Sequence, residues 1–123
     1  MHKQTWVKVN APVDEGVAGL VSALSSFPEL CTIESCQGDA EHPAVVFYSY
    51  ADKGVEGEHS WQKLSEFTLG FLGPRLVQQL GDLVTMGITI NSWGWPQGEL
   101  QVRPGAMQRT LRAIKQARKE FKG

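Results

Sequence analysis

The segment CTIESCQGDAEHPAVVFYSY, residues 31–50, decides the fold because it holds two strand-like runs joined by a short polar stretch. The runs Cys31–Cys36 and Ala44–Tyr50 are rich in β-branched and aromatic residues, which favour strands. The stretch between them, QGDAEHP, has the composition of a turn. The segment therefore predicts an antiparallel β-hairpin.

Hydrophobic periodicity places the other elements around this hairpin. In chain order they are a strand over Thr5–Asn10, a helix over about Glu15–Ser26, a helix from Ser60 that Gly73-Pro74 interrupts and that resumes to Gly81, strands over Val84–Ile90 and Glu99–Arg103, and a helix over Ala106–Lys122. This order, βαββαββα, predicts a single α+β domain over residues 1–123, with one mostly antiparallel sheet of five strands. With right-handed crossovers the sheet is ferredoxin-like, a split βαβ arrangement with an added C-terminal hairpin strand and helix.

The composition is that of an ordinary soluble globular protein, with 41% hydrophobic and 20% charged residues. No apolar run approaches the roughly 18 residues that a membrane-spanning helix needs, and the N-terminal residues lack the apolar core of a signal peptide. The presence of only two cysteines fits a reducing compartment. We therefore predict a cytoplasmic protein that does not enter a membrane.

Positive charge is concentrated at the C-terminal end of the chain. From Arg103 onward, seven basic residues accompany one acid, which gives a charge of +6, whereas the remainder carries −7. In the predicted last helix, part of this charge forms one stripe, roughly 140° from the apolar stripe by the helical step. This basic stripe consists of Arg112, Lys115, Lys119 and Lys122. Such a stripe pairs with the acidic remainder of the molecule, with a second copy, or with a nucleic acid.

The two cysteines are the most reactive side chains of the hairpin. On a straight strand, Cys31 and Cys36 lie roughly 16 Å apart on opposite faces, so they cannot form a disulfide. Cys31 is then expected on the core face, and Cys36 at the end of the strand beside the turn. Across the turn, His42 completes a candidate catalytic Cys–His pair, whereas two such ligands are too few for a closed metal site. The alternative to a catalytic pair is that these residues only form a turn, in which Gly38 supplies a positive φ.

The face of the predicted sheet opposite the core gathers polar, aromatic and basic side chains. Its members are Trp6, Lys8, Glu34, Cys36, Thr89, Asn91, Trp93, Gln101 and Arg103, joined by Tyr48 and Tyr50 if Phe47 points inward. From this face and the adjoining turn, the candidate ligand-binding residues are Trp6, Glu34, Ser35, Cys36, Gly38, Trp93 and Arg103. Such a surface stacks the bases of single-stranded RNA, unless the last helix or a second subunit covers it. Trp93 and Trp95 either brace their hairpin turn or mark a contact site.

The strand-turn motif T-x-x-S-C-x-G carries a resemblance to a known family. Its residues are Thr32, Ser35, Cys36 and Gly38. With the order of the flanking elements, they resemble the tRNA wybutosine-synthesising methyltransferase family. That resemblance implies an α/β domain that uses S-adenosylmethionine as cofactor and acts on a modified guanosine in tRNA. The same S-C-x-G turn also resembles those of short uncharacterised bacterial and phage proteins, a likeness that implies no activity.

The sequence contains no catalytic triad, phosphate-binding loop, paired-carboxylate motif or metal-ligand spacing. It therefore favours a small cytoplasmic binding or assembly module without catalysis, which self-associates as a homodimer. One alternative is a nucleic-acid-binding domain, with RNA bound through the basic stripe and the sheet aromatics. The other is an enzyme or cofactor binder, methyltransferase-like, around Cys36.

Overall fold

A computed structural model of the chain describes residues 4–6, 12–14, 17–50, 58–92 and 94–122. Its elements are β1 (Gln4–Trp6), β2 (Pro12–Asp14), α1 (Ala18–Ser25), β3 (Leu30–Cys36), β4 (Ala44–Tyr50), α2 (Glu58–Ser65), a π-helical segment (Glu66–Leu72), α3 (Gly73–Leu80), a 3-10 turn (Gly81–Leu83), β5 (Val84–Ile90), β6 (Pro96–Val102) and α4 (Met107–Glu120). The described side chains are those of residues 17–50, 61–92 and 94–122.

The two predicted hairpins are present, and they join into one antiparallel sheet of four strands. β3 pairs with β4, β5 pairs with β6, and β6 lies beside β4, so the strand order is β3-β4-β6-β5. The α+β class is therefore confirmed. Of the five predicted strands, the first, Thr5–Asn10, is the one not found in this sheet, because its described residues belong to β1, which pairs with β2 in a separate two-stranded sheet. Residues 7–11 lie outside the described part, and the ferredoxin-like arrangement is not confirmed.

One face of the four-stranded sheet, the inner face, carries the core. Successive side chains of a strand point to opposite faces, so alternate residues of each strand meet the helices. The buried ones are Leu30, Ala44, Val46, Tyr48, Tyr50, Val84, Leu100 and Val102. The apolar stripe predicted for α1 is fully buried in the same core and consists of Val17, Leu20, Val21 and Leu24.

The last helix, α4, also belongs to the inner side of the sheet. It buries Ala113, Ile114 and Ala117 in the common core and contacts α1 and α3. Of the two alternatives for covering the opposite face, the last helix is therefore excluded, because its apolar stripe packs in the core against the other helices. None of the helices in the described ranges combines the length and the apolar character of a membrane-spanning segment.

Tyr48 fills the centre of the inner face. It is paired with Gly98 across β4 and β6, and a Cβ atom at Gly98 would overlap the Tyr48 ring. The absence of a side chain at Gly98 therefore lets the ring lie directly against the β6 backbone. The Tyr48 ring also contacts the helical layer. The ring of Phe67 meets it edge to face, with the two ring centroids 5.9 Å apart.

The helical stretch between β4 and β5 continues through Gly73-Pro74, where the sequence predicted an interruption. α2 runs into the π-helical segment and α3 follows at once, with Pro74 in its first turn. The amide of Gly73 donates to the carbonyl of Thr68 across the widened turn. Proline lacks an N–H and crowds the carbonyl four residues earlier, and a widened turn is one way for a helix to pass it.

A β-bulge in β3 changes the faces of the two cysteines. Thr32 is opposite Tyr48 and Glu34 is opposite Phe47, so Ile33 is an extra residue without a partner on β4. The bulge reverses the alternation after it and puts Cys31 and Cys36 on the same side, away from the core, where both are exposed. The prediction of opposite faces, with Cys31 buried, is therefore wrong.

Candidate functional site

The turn between β3 and β4 is built around the carboxylate of Asp39. Its Oδ1 accepts hydrogen bonds from the amides of Glu41 (2.8 Å) and His42 (2.9 Å) and lies 2.8 Å from Nδ1 of the His42 ring. These contacts lower the pKa of Asp39, and the Glu41 amide has the largest effect. Gly38 has a φ of 75°, and a Cβ there would meet the backbone of Pro43. The structure of the turn is therefore sufficient to explain why Gly38 and His42 occur at these positions.

The Cys36 thiol and the His42 ring are not joined by a hydrogen bond in the part of the chain that the structure describes. Cys36 is exposed at the end of β3, opposite Val45, and the His42 ring is held by Asp39. Among the described residues, no group of three or more His, Cys, Asp and Glu side chains could hold a metal ion. Cys36 therefore carries an exposed thiol that is not hydrogen-bonded to the candidate base, His42.

Two open cavities border Arg103 beside this turn. The first, of about 230 Å³, includes Gly38, Asp39 and His42 in its lining, and the second, of about 290 Å³, includes Glu41 and Gln101. The structure therefore brings Gly38, His42 and Arg103 together, three of the residues predicted as candidates. Both cavities mix acidic side chains with one exposed arginine.

The remaining predicted residues are distributed over several places. Glu34 and Cys36 are exposed on the side away from the core, whereas Ser35 is opposite Val46 on the inner face and half-buried. The Trp6 side chain and the whole of Trp93 lie outside the described residues, and the neighbouring Trp95 is 47% exposed. These residues do not share one site in the described structure.

The side of the sheet away from the helices, the outer face, is mainly polar. It carries Cys31, Glu34 and Cys36 from β3, Val45, Phe47 and Ser49 from β4, Gln97, Glu99 and Gln101 from β6, and Thr85, Gly87 and Thr89 from β5. Phe47 points outward and Tyr48 and Tyr50 are buried on the inner face, so the condition under which the two tyrosines would join the opposite face is not met. Phe47 lies between Glu34 and Glu99 in one cross-strand row.

The basic stripe of α4 points to solvent. All of its members are exposed: Arg112, Lys115 and Lys119 lie on α4, and Lys122 follows the helix, which ends at Glu120 and not at Lys122 as predicted. None of them forms an ion pair within the described residues. The one acid near the end of α4, Glu120, lies 3.6 Å from Nε of Arg75 on α3 and not beside the stripe. The described structure therefore leaves the charge of the stripe uncompensated by direct contacts.

A pocket with aromatic walls lies where β4, α2 and the end of α4 meet, and no pattern in the sequence predicted it. Its volume is about 290 Å³, and its lining consists of Pro28, Glu29, Tyr50, Lys63, Glu66, Phe67, Phe71 and Phe121. The spacing of Phe67 and Phe71 on one helix was visible in the sequence. Their meeting with Tyr50 and Phe121 was not, because those residues come from distant elements.

Charged side chains surround the mouth of this aromatic pocket. Nζ of Lys63 lies 3.0 Å from Oε2 of Glu29 in a partly exposed ion pair. Burial is the main cause that raises the pKa of Tyr50 to about 12, and the charges of Glu29 and Glu66 raise it further while Lys63 opposes them. The Tyr50 hydroxyl therefore stays protonated at neutral pH, and its pKa responds to all three charged groups.

In comparisons with protein families, curated proteins and solved structures, no match to this chain was found.

Proposed function

We propose that this chain is a non-catalytic binding module that holds a nucleic acid, RNA in the first instance, on the basic stripe of α4. The observation that carries the proposal is the exposure of the whole stripe without an ion pair in the described residues. Exposed cations in one row attract phosphates, and the release of counterions is a large part of the binding free energy.

The position of the stripe suits contacts to a phosphate backbone. The apolar side of α4 is fixed in the core by Ala113, Ile114 and Ala117, so the opposite side keeps a constant orientation. From Arg112 to Lys119 the helix rises by about 10 Å, which extends the charge along a strand. Lysine and arginine contacts to phosphates do not read sequence, so we expect binding with little base preference.

The test compares two double variants with the same change of net charge. Arg112→Gln with Lys119→Gln removes two charges of the stripe, and Gln78→Glu with Gln79→Glu adds two acids at exposed positions of α3. Binding to a single-stranded RNA oligonucleotide is measured over a range of salt concentrations. The stripe variant should lower the slope of log K against log salt by about 1.4, at about 0.7 for each lost contact, and the α3 variant should leave the slope unchanged. Equal slopes for all three proteins, or no salt dependence, would contradict the proposal.

Self-association is the second candidate function, and the outer face favours it. Phe47 is half-buried between Glu34 and Glu99. This row therefore offers a second copy an apolar contact, flanked by two acids whose charge is opposite to that of the basic stripe. Light scattering of wild type and of Glu34→Gln with Glu99→Gln tests it. We expect a larger species at low salt that the double variant loses, and a wild-type protein that stays monomeric would contradict this candidate.

The methyltransferase-like interpretation around Cys36 rests on the T-x-x-S-C-x-G resemblance and remains a prediction, as does the cytoplasmic location. Its direct test is calorimetric titration of the protein with S-adenosylmethionine. Binding that Cys36→Ser weakens would support it. A titration without binding heat, repeated at a second temperature, would contradict it.

A further inference from the structure

We propose that the aromatic pocket between β4, α2 and the end of α4 binds a small organic cation, with its ammonium head group against the rings of Phe71 and Phe121. This site is separate from the basic stripe, and it goes beyond the function proposed above. Its volume of about 290 Å³ is at the lower limit of small-molecule sites, which is about 300 Å³. The pocket therefore fits a ligand with few heavy atoms.

The rings that line the pocket meet mostly at steep angles, with Phe67 and Phe71 stacked at 30°. Phe71 and Phe121 have centroids 5.0 Å apart with an interplanar angle of 69°, and Phe67 meets Phe121 at 82°. Tyr50 meets Phe67 at 71° on the side of the sheet. Rings in different orientations surround a ligand from several directions, and the π-faces of such rings attract cations.

One of these rings, Phe71, and one ring packed behind the walls, Phe27, each lie next to a guanidinium group. The guanidinium carbon of Arg75 lies 4.0 Å from the centroid of Phe71. The guanidinium carbon of Arg118 lies 5.8 Å from the centroid of Phe27, which packs edge to face on Phe121 and Phe67. The aromatic cluster therefore has cations at its periphery, and four of its rings, those of Tyr50, Phe67, Phe71 and Phe121, line the pocket.

The charge at the mouth of the pocket selects the sign of the ligand. Lys63 is neutralised by Glu29 at 3.0 Å. Glu66 accepts a hydrogen bond from the uncharged side chain of Gln62 at 3.3 Å. None of the ion pairs among the described residues includes Glu66. Among the lining side chains, two carboxylates and one ammonium group leave a net charge of −1, and Arg75 beside Phe71 has Glu120 at 3.6 Å, so the lining favours a cation and disfavours an anion.

The experiment uses choline and its uncharged isostere 3,3-dimethylbutan-1-ol as probes of the full-length protein. Amide chemical shifts are followed by two-dimensional NMR during each titration. We expect choline to shift the amides of residues around the pocket, and the isostere to bind at least about threefold more weakly, since it lacks the cation–π attraction. Equal affinity for both probes, or shifts spread over the surface without the pocket, would overturn the proposal.

Variants then assign the binding to the pocket residues. Glu66→Gln and Phe121→Leu should each weaken choline binding by at least about threefold, whereas Glu41→Gln, in the β3–β4 turn, should leave it unchanged. Phe121 follows the end of α4 and is half-buried, and thermal unfolding verifies that each variant is folded. A folded Glu66→Gln protein with wild-type choline affinity would overturn the charge argument. The double stripe variant Arg112→Gln with Lys119→Gln should bind choline normally, so failure of one proposal is distinguishable from failure of the other.

Discussion

The Tyr48 hydroxyl lies 2.6 Å from Oγ1 of Thr68, and this hydrogen bond joins the centre of the sheet to the π-helical segment. Both side chains are fully buried, so each hydroxyl depends on the other for a partner. A buried polar group that loses its partner costs roughly 1–3 kcal/mol, whereas removing both partners is nearly neutral. The pair therefore stabilises the fold mainly by avoiding an unsatisfied hydroxyl.

Thr68→Val should lower the free energy of unfolding by roughly 1–3 kcal/mol, measured by chemical denaturation. Adding Tyr48→Phe should restore part of that loss, because no unpaired hydroxyl remains. Thr110→Val is the matched control: the buried Thr110 hydroxyl donates to the carbonyl of Ala106, which already accepts the Thr110 amide. A Thr68→Val protein no less stable than Thr110→Val would contradict this account.

Local sequence patterns predicted the helices and strands well. They did not predict which strands distant in sequence pair with each other. The strand over Ala44–Tyr50 and the buried stripe of α1 follow from periods of two and of 3.6 residues, which short segments display by themselves. The bulge at Ile33 left no signal, because isoleucine suits a strand on either face. The place of β6 between β4 and β5 depends on contacts between distant segments, which no periodicity encodes.

The same distinction applies to the candidate sites. Most of the basic stripe was predictable because Arg112, Lys115 and Lys119 lie on one helix, where a fixed rotation per residue decides the face, whereas Lys122 follows the end of α4. The aromatic pocket was not, since Tyr50, Phe71 and Phe121 belong to three elements whose contact is tertiary. The role of Asp39 was missed for another reason. Its carboxylate accepts amide hydrogen bonds within the turn, whereas the composition of QGDAEHP indicated only that a turn is present.

Alkaline pH should reveal how well the protein shields its tyrosines, and Tyr48 and Tyr50 are the only two. Burial raises the pKa of Tyr50 to about 12 and that of Tyr48 further, against an ordinary value of 10.0. The neutral tyrosines therefore contribute stability that is complete below pH 10.0 and is lost as the pH rises through the folded-state values.

Tyrosinate absorbance measures this directly. We expect the folded protein to show little tyrosinate at pH 10.0, and then a steep rise that coincides with loss of secondary structure. The guanidinium-denatured protein, which serves as the control, should titrate with an ordinary midpoint. Half ionisation of either tyrosine at pH 10.0 in a folded sample would be incompatible with the burial of these rings.

Thiol labelling should detect the consequence of the bulge at Ile33. Because Cys31 and Cys36 are both exposed on the outer face, an aqueous aromatic disulfide reagent should modify both thiols quickly in the native protein. Cys31→Ser and Cys36→Ser should each leave one fast-reacting thiol, and each variant is the control for the other. A Cys31 thiol that reacts only after denaturation would mean that β3 has no bulge and that Cys31 belongs to the core.

Acid should weaken the β3–β4 turn, because its amide hydrogen bonds depend on an ionised Asp39. The folded-state pKa of Asp39 is lowered below its usual value of 3.8, first by the Glu41 amide and then by the His42 side chain. A lowered carboxyl pKa gives stability that is present above pH 3.8 and is lost as the pH falls through the folded-state value. Asp39→Ala should therefore be less stable than wild type at neutral pH, and the difference in unfolding free energy should shrink in acid.

Glu41→Ala removes a neighbouring carboxylate but no acceptor of the turn amides, so its effect should be smaller and independent of this titration. A difference between wild type and Asp39→Ala that stayed constant into strong acid would show that the turn does not need the charge of Asp39.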